Sequence, residues 1–385
     1  MSAPIKIIKT VYIASFFFAL QIAIASYINS TFVSEITQES IVGIIFTASA
    51  IVTLLALSLV PKVISKFGNK FTLLGLLVIS FLSLVALTSF GRPTLQLIGF
   101  IFYLVTNNVI VFSFDIFVQH FSDSKKIGKM RGFYLTVINT AWVISPVIAG
   151  ILMSNGGYPL LYGVSMMFIF IVFYTVLTQI KNYHDAPYVR APFVKTLNLL
   201  WSQHELRSIT VLNFVLQFFY AWMIIYTPIY LHEHIGFSWE NIGIIFTIML
   251  LPFILLELPL GRRSDRHGEK TFLILGLIIM GVATLFLPTL PKNIILWAFF
   301  LFLTRVGAAI TEVMIEVHFF KKVTDKESNF ISIFRDMSPL AFVVAPIFGT
   351  LIIGTLPFKT LYIVLGVFVL SGIFYAHKLK DKKTS

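Results

Sequence analysis

Residues Leu301–Phe320 read LFLTRVGAAITEVMIEVHFF. The run is long and apolar enough to cross a bilayer as one helix, for which about 20 residues suffice. It nevertheless carries Arg305, Glu312 and Glu316. At about 100° per residue, steps of seven and eleven positions return to within roughly 20° of the starting direction, so the three charges share one helix face. A charge at mid-bilayer costs at least ~2.5 to 3.5 kcal/mol even on a lenient insertion scale, so such residues face a bundle interior or a watery cavity. This polar stripe on an apolar helix is the first candidate functional site.

The rest of the chain is of the same kind. Of its 385 residues, 57% are hydrophobic and 12% charged, and mean hydropathy is +0.90. Soluble domains do not have this composition. Apolar runs of spanning length fall at about 10–30, 41–60, 71–90, 95–118, 132–153, 160–180, 208–230, 241–260, 271–290, 293–319, 329–353 and 358–377. The predicted fold class is therefore an all-α membrane protein with twelve spans and almost no chain left for a soluble domain.

The net charge of +12 does not point to nucleic acid, because the basic residues alternate with the spans. With the N-terminus inside, only Arg92, Lys292 and Lys359 fall in outer loops and Arg305 within a span, while every other lysine and arginine lies on the inner side. This asymmetry predicts a multi-pass protein of the cell membrane with both termini cytoplasmic. The absence of cysteine removes disulfides, thiolate chemistry and Cys-ligated metals. No metal cluster, nucleophile–base pair or phosphate-cradling loop is evident, so no cofactor is expected and an enzyme is disfavoured. The first apolar run follows a short basic tail but ends in SYINSTF without a small-residue cleavage site, and reads as a retained span.

The sequence also repeats. GIIFT occurs at Gly43–Thr47 and at Gly243–Thr247, a displacement of 200. The same displacement relates Gly68 and Lys70 to Gly268 and Lys270, Pro146 to Pro346, and Leu161–Tyr162 to Leu361–Tyr362. The expected organisation is a six-helix bundle over 1–180, a cytoplasmic linker over 181–207 and a second six-helix bundle over 208–385, parallel repeats in one membrane orientation. Within the linker, FVKTLNLLW is either a tether or an amphipathic helix lying on the inner leaflet.

Between spans 8 and 9 stands GRRSDRHGEK, Gly261–Lys270. It resembles the signature loop of the major facilitator superfamily, Gly-x-x-x-Asp-Arg-x-Gly-x-Lys, and the resemblance extends over the whole chain through the span count, the repeat and the loop's place in each half. The first-half copy, PKVISKFGNK, keeps Gly68 and Lys70 but has Pro61 and Ser65 at the Gly and Asp positions. The resemblance implies a conformational latch made of Gly261, Asp265, Arg266, Gly268 and Lys270. Asp265 would meet the N-terminal end of span 5 near Arg131 and hold the cytoplasmic side closed. Glu269 departs from the pattern, which usually has a basic residue there. In the first half, Lys66 or Lys70 would reach Asp336 at the start of span 11. Span 5 reads NTAWVISPVIAG, and its Ser145, Pro146 and Gly150 are similar to the family's Gly-Pro motif, which is associated with antiporters. Close packing through small residues is the alternative account.

The resemblance further implies that spans 1, 4, 7 and 10 line a central cavity. Their polar residues are Gln21 on span 1, Asn107, Asn108 and Asp115 on span 4, Gln217 and Tyr220 on span 7, and the charged stripe on span 10. Arg305 lies roughly 18 Å into its span, where its planar fork suits a carboxylate or phosphate, unless it is a structural ion pair. Glu312 is about 10 Å nearer the cytoplasm, and whether it holds a proton depends on whether Arg305 is otherwise engaged. Two ligands that exclude each other give antiport. Glu316 and Asp115 are pathway residues or latch partners, His318 is an interface residue, and Trp222, Tyr226 and Tyr230 anchor the headgroup region. The expected function is proton-coupled export of a small organic solute by a monomer whose partners are solute, protons and lipid. Uptake of an organic anion is the first alternative, and a receptor on the same fold the second.

Overall fold

The computed structural model describes residues 3–89, 91–121, 127–180, 193–267, 269–322 and 328–379. Their regular structure is helical: α1 (Ala3–Ser26), α2 (Asn29–Ile36), α3 (Glu39–Phe67), α4 (Asn69–Leu87), α5 (Pro93–Phe121), α6 (Ile127–Gln179), α7 (Phe193–Ser202), α8 (His204–Ile229) with a π turn Tyr230–His234, α9 (Trp239–His267), α10 (Lys270–Phe286) with a 3₁₀ turn Leu287–Thr289, α11 (Ile294–Lys322), α12 (Ser328–Ile353) and α13 (Thr360–His377). Eleven of these are long and apolar enough to cross a membrane.

Counted by limbs of spanning length the eleven become twelve, because α6 is two such limbs in one. Its apolar part runs for 44 residues, about 66 Å at 1.5 Å per residue and twice the hydrocarbon thickness. The helix is broken at Gly157, whose φ of 60° and ψ of −155° are open only to glycine. Contacts with α1 and α2 give the direction of each limb. Tyr12, early in α1, lies 6.3 Å from Tyr134, and Phe32, beyond its end, lies 5.0 Å from Tyr158 and 5.3 Å from Tyr162. Phe17, back within α1, meets Phe168 at 5.8 Å. The limb 127–156 thus climbs along α1 and the limb 158–179 returns, so the predicted spans 5 and 6 meet with a single residue between them.

The chain divides into two compact units, Met1–Arg190 and Ala191–Ser385. Helix bounds recur between them: α3 and α9 occupy 39–67 and 239–267, and α5 and α11 occupy 93–121 and 294–322. In the first unit Lys70 Nζ donates to the carbonyl of Leu177 at 3.3 Å; in the second Lys270 Nζ donates to that of His377 at 2.6 Å. Each cation satisfies a last-turn carbonyl that has no partner within its own helix.

Lipid offers no hydrophobic drive between helices, so close approach through small residues holds the helices of each unit together. A Cβ on Gly99 of α5 would sit 2.7 Å from Ala86 Cβ of α4, and one on Gly307 of α11 would sit 2.6 Å from the Gly276 carbonyl of α10. The outer surface is apolar, with Phe71, Phe170, Leu255, Ile295 and Leu351 all more than half exposed. Trp222, Tyr226 and Tyr230 correct the sequence expectation: all three are buried in the second unit rather than set at a headgroup surface. Tyr226 donates to the Pro346 carbonyl at 3.0 Å, and Tyr230 packs edge-on against Tyr362 at 5.2 Å. The linker helix α7 packs on α8 and α12 through buried Leu200, exposing Leu199 and Trp201.

Candidate functional site

In the first unit, α1 and α5 bring Gln21 and Asn107 together. Gln21 Nε2 donates to Asn107 Oδ1 at 3.0 Å, and Tyr103 donates its hydroxyl to Gln21 Oε1 at 2.9 Å. Gln21 and Tyr103 are fully enclosed and Asn107 nearly so, a neutral polar cluster that exchanges hydrogen bonds internally. Tyr103 was not among the expected residues, although it lies four positions before Asn107 on the same helix face. Asn108 is exposed and donates back to the Leu104 carbonyl at 2.9 Å, while Asp115 is partly buried further along α5.

The charged stripe organises the second unit. A cavity of about 220 Å³ is lined by Asn213, Leu216 and Gln217 of α8, Glu312, Ile315 and Glu316 of α11, and Phe334, Arg335 and Ser338 of α12. Gln217, Glu312 and Glu316 were expected here; Asn213, Arg335 and Ser338 were not. Asn213 lies one turn before Gln217, and its amide donates to the Phe334 carbonyl at 2.8 Å, fixing α12 against α8. Arg335 grips Glu316 in a two-point contact, at 2.5 Å and 3.2 Å, the geometry in which a guanidinium best matches a carboxylate.

Glu312 receives the Tyr220 hydroxyl at 2.7 Å. The Arg305 guanidinium lies over the rings of Tyr220 and Phe219, 5.2 Å from each centroid. Tyr220 therefore stands between the carboxylate and the cation, touching both. Arg305 is 2% exposed, does not line the cavity, and among the described residues has no carboxylate at ion-pair distance. Its Nε is buried without a hydrogen-bond partner there. The two aromatic faces supply the attraction that a counter-ion would otherwise give.

Of the expected latch, the side chains of Asp265, Arg266 and Arg131, together with Gly261 and Gly268, fall outside what the structure describes, though the α9 backbone runs through 261–267. Gly68 joins α3 to α4 with φ 81°, and Lys70 and Lys270 hold the helix ends described above. Asp336 is half-buried on α12, next to Arg335. In span 5, Ser145 is buried with its hydroxyl donating to Ala141 at 2.5 Å, Pro146 lies inside the helix, and Gly150 is buried.

The family model of the Major Facilitator Superfamily matches residues 11–246 and again 210–384. Among solved structures the chain is similar to a bacterial homolog of the human lysosomal transporter Spinster in an inward-facing, unoccupied conformation (TM-score 0.79, 9% identity, 98% of this chain and 96% of that one). It is also similar to the nucleoside transporter NupG (TM-score 0.77, 11% identity, 98% of each chain) and to the human organic anion transporter MFSD10 (TM-score 0.69, 13% identity, 98% and 100%). At such identities the likeness speaks to fold alone. No curated protein matches the chain in sequence. With the family model spanning nearly its whole length, this multi-pass helical protein belongs to the Major Facilitator Superfamily.

Proposed function

We propose that the protein is a proton-coupled exporter of a small organic solute, of the drug- and solute-exporter type, working as a monomer in the cell membrane. In this reading the two units are parallel six-span repeats with both termini cytoplasmic, and they alternate access to a site near the bilayer midplane. The observation that carries it is Glu312, a carboxylate set deep in α11, lining a polar cavity and held by the Tyr220 hydroxyl. Such a group within a span is a proton or ion site by default. Because Tyr220 also lies on Arg305, a change of charge at Glu312 is transmitted through one ring to a buried cation. Proton and solute then favour different orientations of the bundle, which is the thermodynamic requirement for exchange.

A second reading, uptake of an organic anion, is supported by Arg305 itself, a buried guanidinium without a carboxylate partner among the described residues. Proteoliposomes loaded with a panel of organic cations, anions and neutral solutes, under an imposed pH gradient, separate the readings. Export expects efflux driven by inward proton flow, with Glu312→Gln stopping proton-driven flux while solute exchange continues. Uptake reverses the direction. Proton-driven flux that survives Glu312→Gln removes the coupling role, and a protein that binds solute but moves none is a receptor.

A further inference from the structure

The linker helix α7 is an element that the transport reading does not use. It is not a continuation of α8. Gln203 stands extended between the two, with φ −91° and ψ 107°, so the chain changes course there. The Gln203 amide donates to the Leu200 carbonyl at 3.1 Å and the Ser202 hydroxyl to the Leu199 carbonyl at 2.7 Å, closing the last turn of α7.

The sequence of this helix, FVKTLNLLWS, is two-sided. At about 100° per residue, measured from Leu200, Phe193 falls at about 20°, Leu197 at about 60°, Trp201 at about 100° and Val194 at about 120°. Asn198, Ser202 and Lys195 gather across the helix at about 160–220°. Only Leu199 breaks the separation. The apolar residues thus share one arc, and the bundle covers a single edge of it. Leu200 is 0% exposed where α7 meets α8 and α12, whereas Trp201, a quarter turn round, is 46% exposed.

A helix at the rim of a membrane bundle meets protein on one side and the bilayer surface at about a right angle to it. The step from Leu200 to Trp201 matches that arrangement. The span of α8 begins at His204, three positions past Trp201, which puts the indole at the level where aromatic rings settle among headgroups. α12, on which α7 leans, turns Leu340, Ile347 and Leu351 outward as part of the apolar surface that meets lipid. Left in water, the free edge of the arc would forgo about 25 cal/mol for each Å² it could bury.

We propose that α7 is a membrane-surface helix: Leu200 fastens it to α8 and α12, and the other edge of its apolar arc, Trp201 foremost, lies in the interfacial layer of the bilayer. Asn198 and Ser202, both exposed, face water. The arrangement requires only that α8 and α12 cross a membrane and does not depend on the transport reading.

The chain contains no cysteine, so a nitroxide can be attached at one introduced thiol at a time. Full-length Trp201→Cys, Asn198→Cys and Ser202→Cys are spin-labelled, reconstituted in phosphatidylcholine–phosphatidylglycerol vesicles and compared by power-saturation EPR. Oxygen reports lipid and a neutral nickel chelate reports water. The oxygen-to-nickel accessibility ratio is expected to be severalfold higher at 201 than at 198 and 202, as for a face sunk about 5–10 Å into the headgroup–acyl boundary. Equal ratios with nickel reaching all three sites place α7 in water and overturn the proposal. A label at 201 reached by neither reagent is covered by protein, a second copy included, and overturns it as well. Where Trp201→Cys does not fold, the unlabelled parent decides: vesicles with brominated acyl chains are expected to quench more tryptophan emission in the parent than in Trp201→Phe, and an equal loss in both overturns the proposal.

Discussion

Replacing Gly307 by alanine probes the helix contact on which the polar stripe of α11 is mounted. A Cβ built at Gly307 lies 2.6 Å from the Gly276 carbonyl oxygen, where ordinary contact begins at 3.4 Å, so α11 must back away from α10 by about 0.8 Å. The Met280 amide nitrogen lies closer still. Both obstacles are backbone and cannot turn aside. Overpacking of this kind costs about 1–3 kcal/mol, against which an alanine in a helix recovers up to about 1 kcal/mol. The net loss of roughly 1–2 kcal/mol corresponds to a fall in Tm of about 2–8 °C for a unit of this size. The same shift carries Arg305 and Glu312, on either side of Gly307, off their partners, and a displacement approaching 1 Å at a working site costs up to about 100-fold in rate. Thermal unfolding followed by intrinsic tryptophan fluorescence reads the first effect, and proton-driven flux in proteoliposomes the second. Gly75→Ala and Gly163→Ala, where a Cβ meets nothing within 4 Å, are the controls and are expected to melt at or slightly above the parent. A Gly307→Ala protein that melts with these controls and retains full flux refutes the packing argument.

Tyr220→Phe keeps the ring on Arg305 but removes the hydroxyl from Glu312; proton-driven flux is expected to fall about tenfold with little change in Tm, and undiminished flux would deny that hydroxyl a part in coupling. Glu316→Gln breaks a two-point pair whose arginine is 59% exposed, so stability should change by less than about 1 kcal/mol, and any large loss of flux then reports function and not folding. Lys70→Met and Lys270→Met each uncap the end of a closing helix and should cost a matched ~0.3–1 kcal/mol, largely restored by arginine; unequal melting shifts would show that the two contacts are not equivalent.

The architecture was largely legible because it rests on composition and spacing. Bilayer thickness sets run length, and GIIFT at 43 and 243 lies near the start of α3 and α9, helices with matching bounds. The gap between the apolar runs 132–153 and 160–180 holds the reversal at Gly157, a residue the run lengths alone did not single out. The site was legible only helix by helix. A wheel gives the face that Arg305, Glu312 and Glu316 share, but not which neighbour that face meets, because the rotation of one helix against another is set by small-residue contacts such as Gly276 with Gly307. Hence Gln21 and Asn107 could each be named as cavity-facing without showing that they pair or that Tyr103 joins them, and Arg305 could be placed at depth without showing that aromatic rings enclose it. Trp222 and Tyr226 misled for a related reason: their amphipathic rings suit a headgroup surface and a bundle interior equally well, and only packing decides.

The joint at Gly157 bears on how any movement passes through the first unit. A hairpin whose arms are separated by one residue has no slack at its crown, and Pro159 just beyond it stiffens the second arm. The arms can splay at their free ends, like tongs pinned at the tip, but they cannot slide past each other. Tilting of the first arm is therefore handed to the second within a single peptide unit.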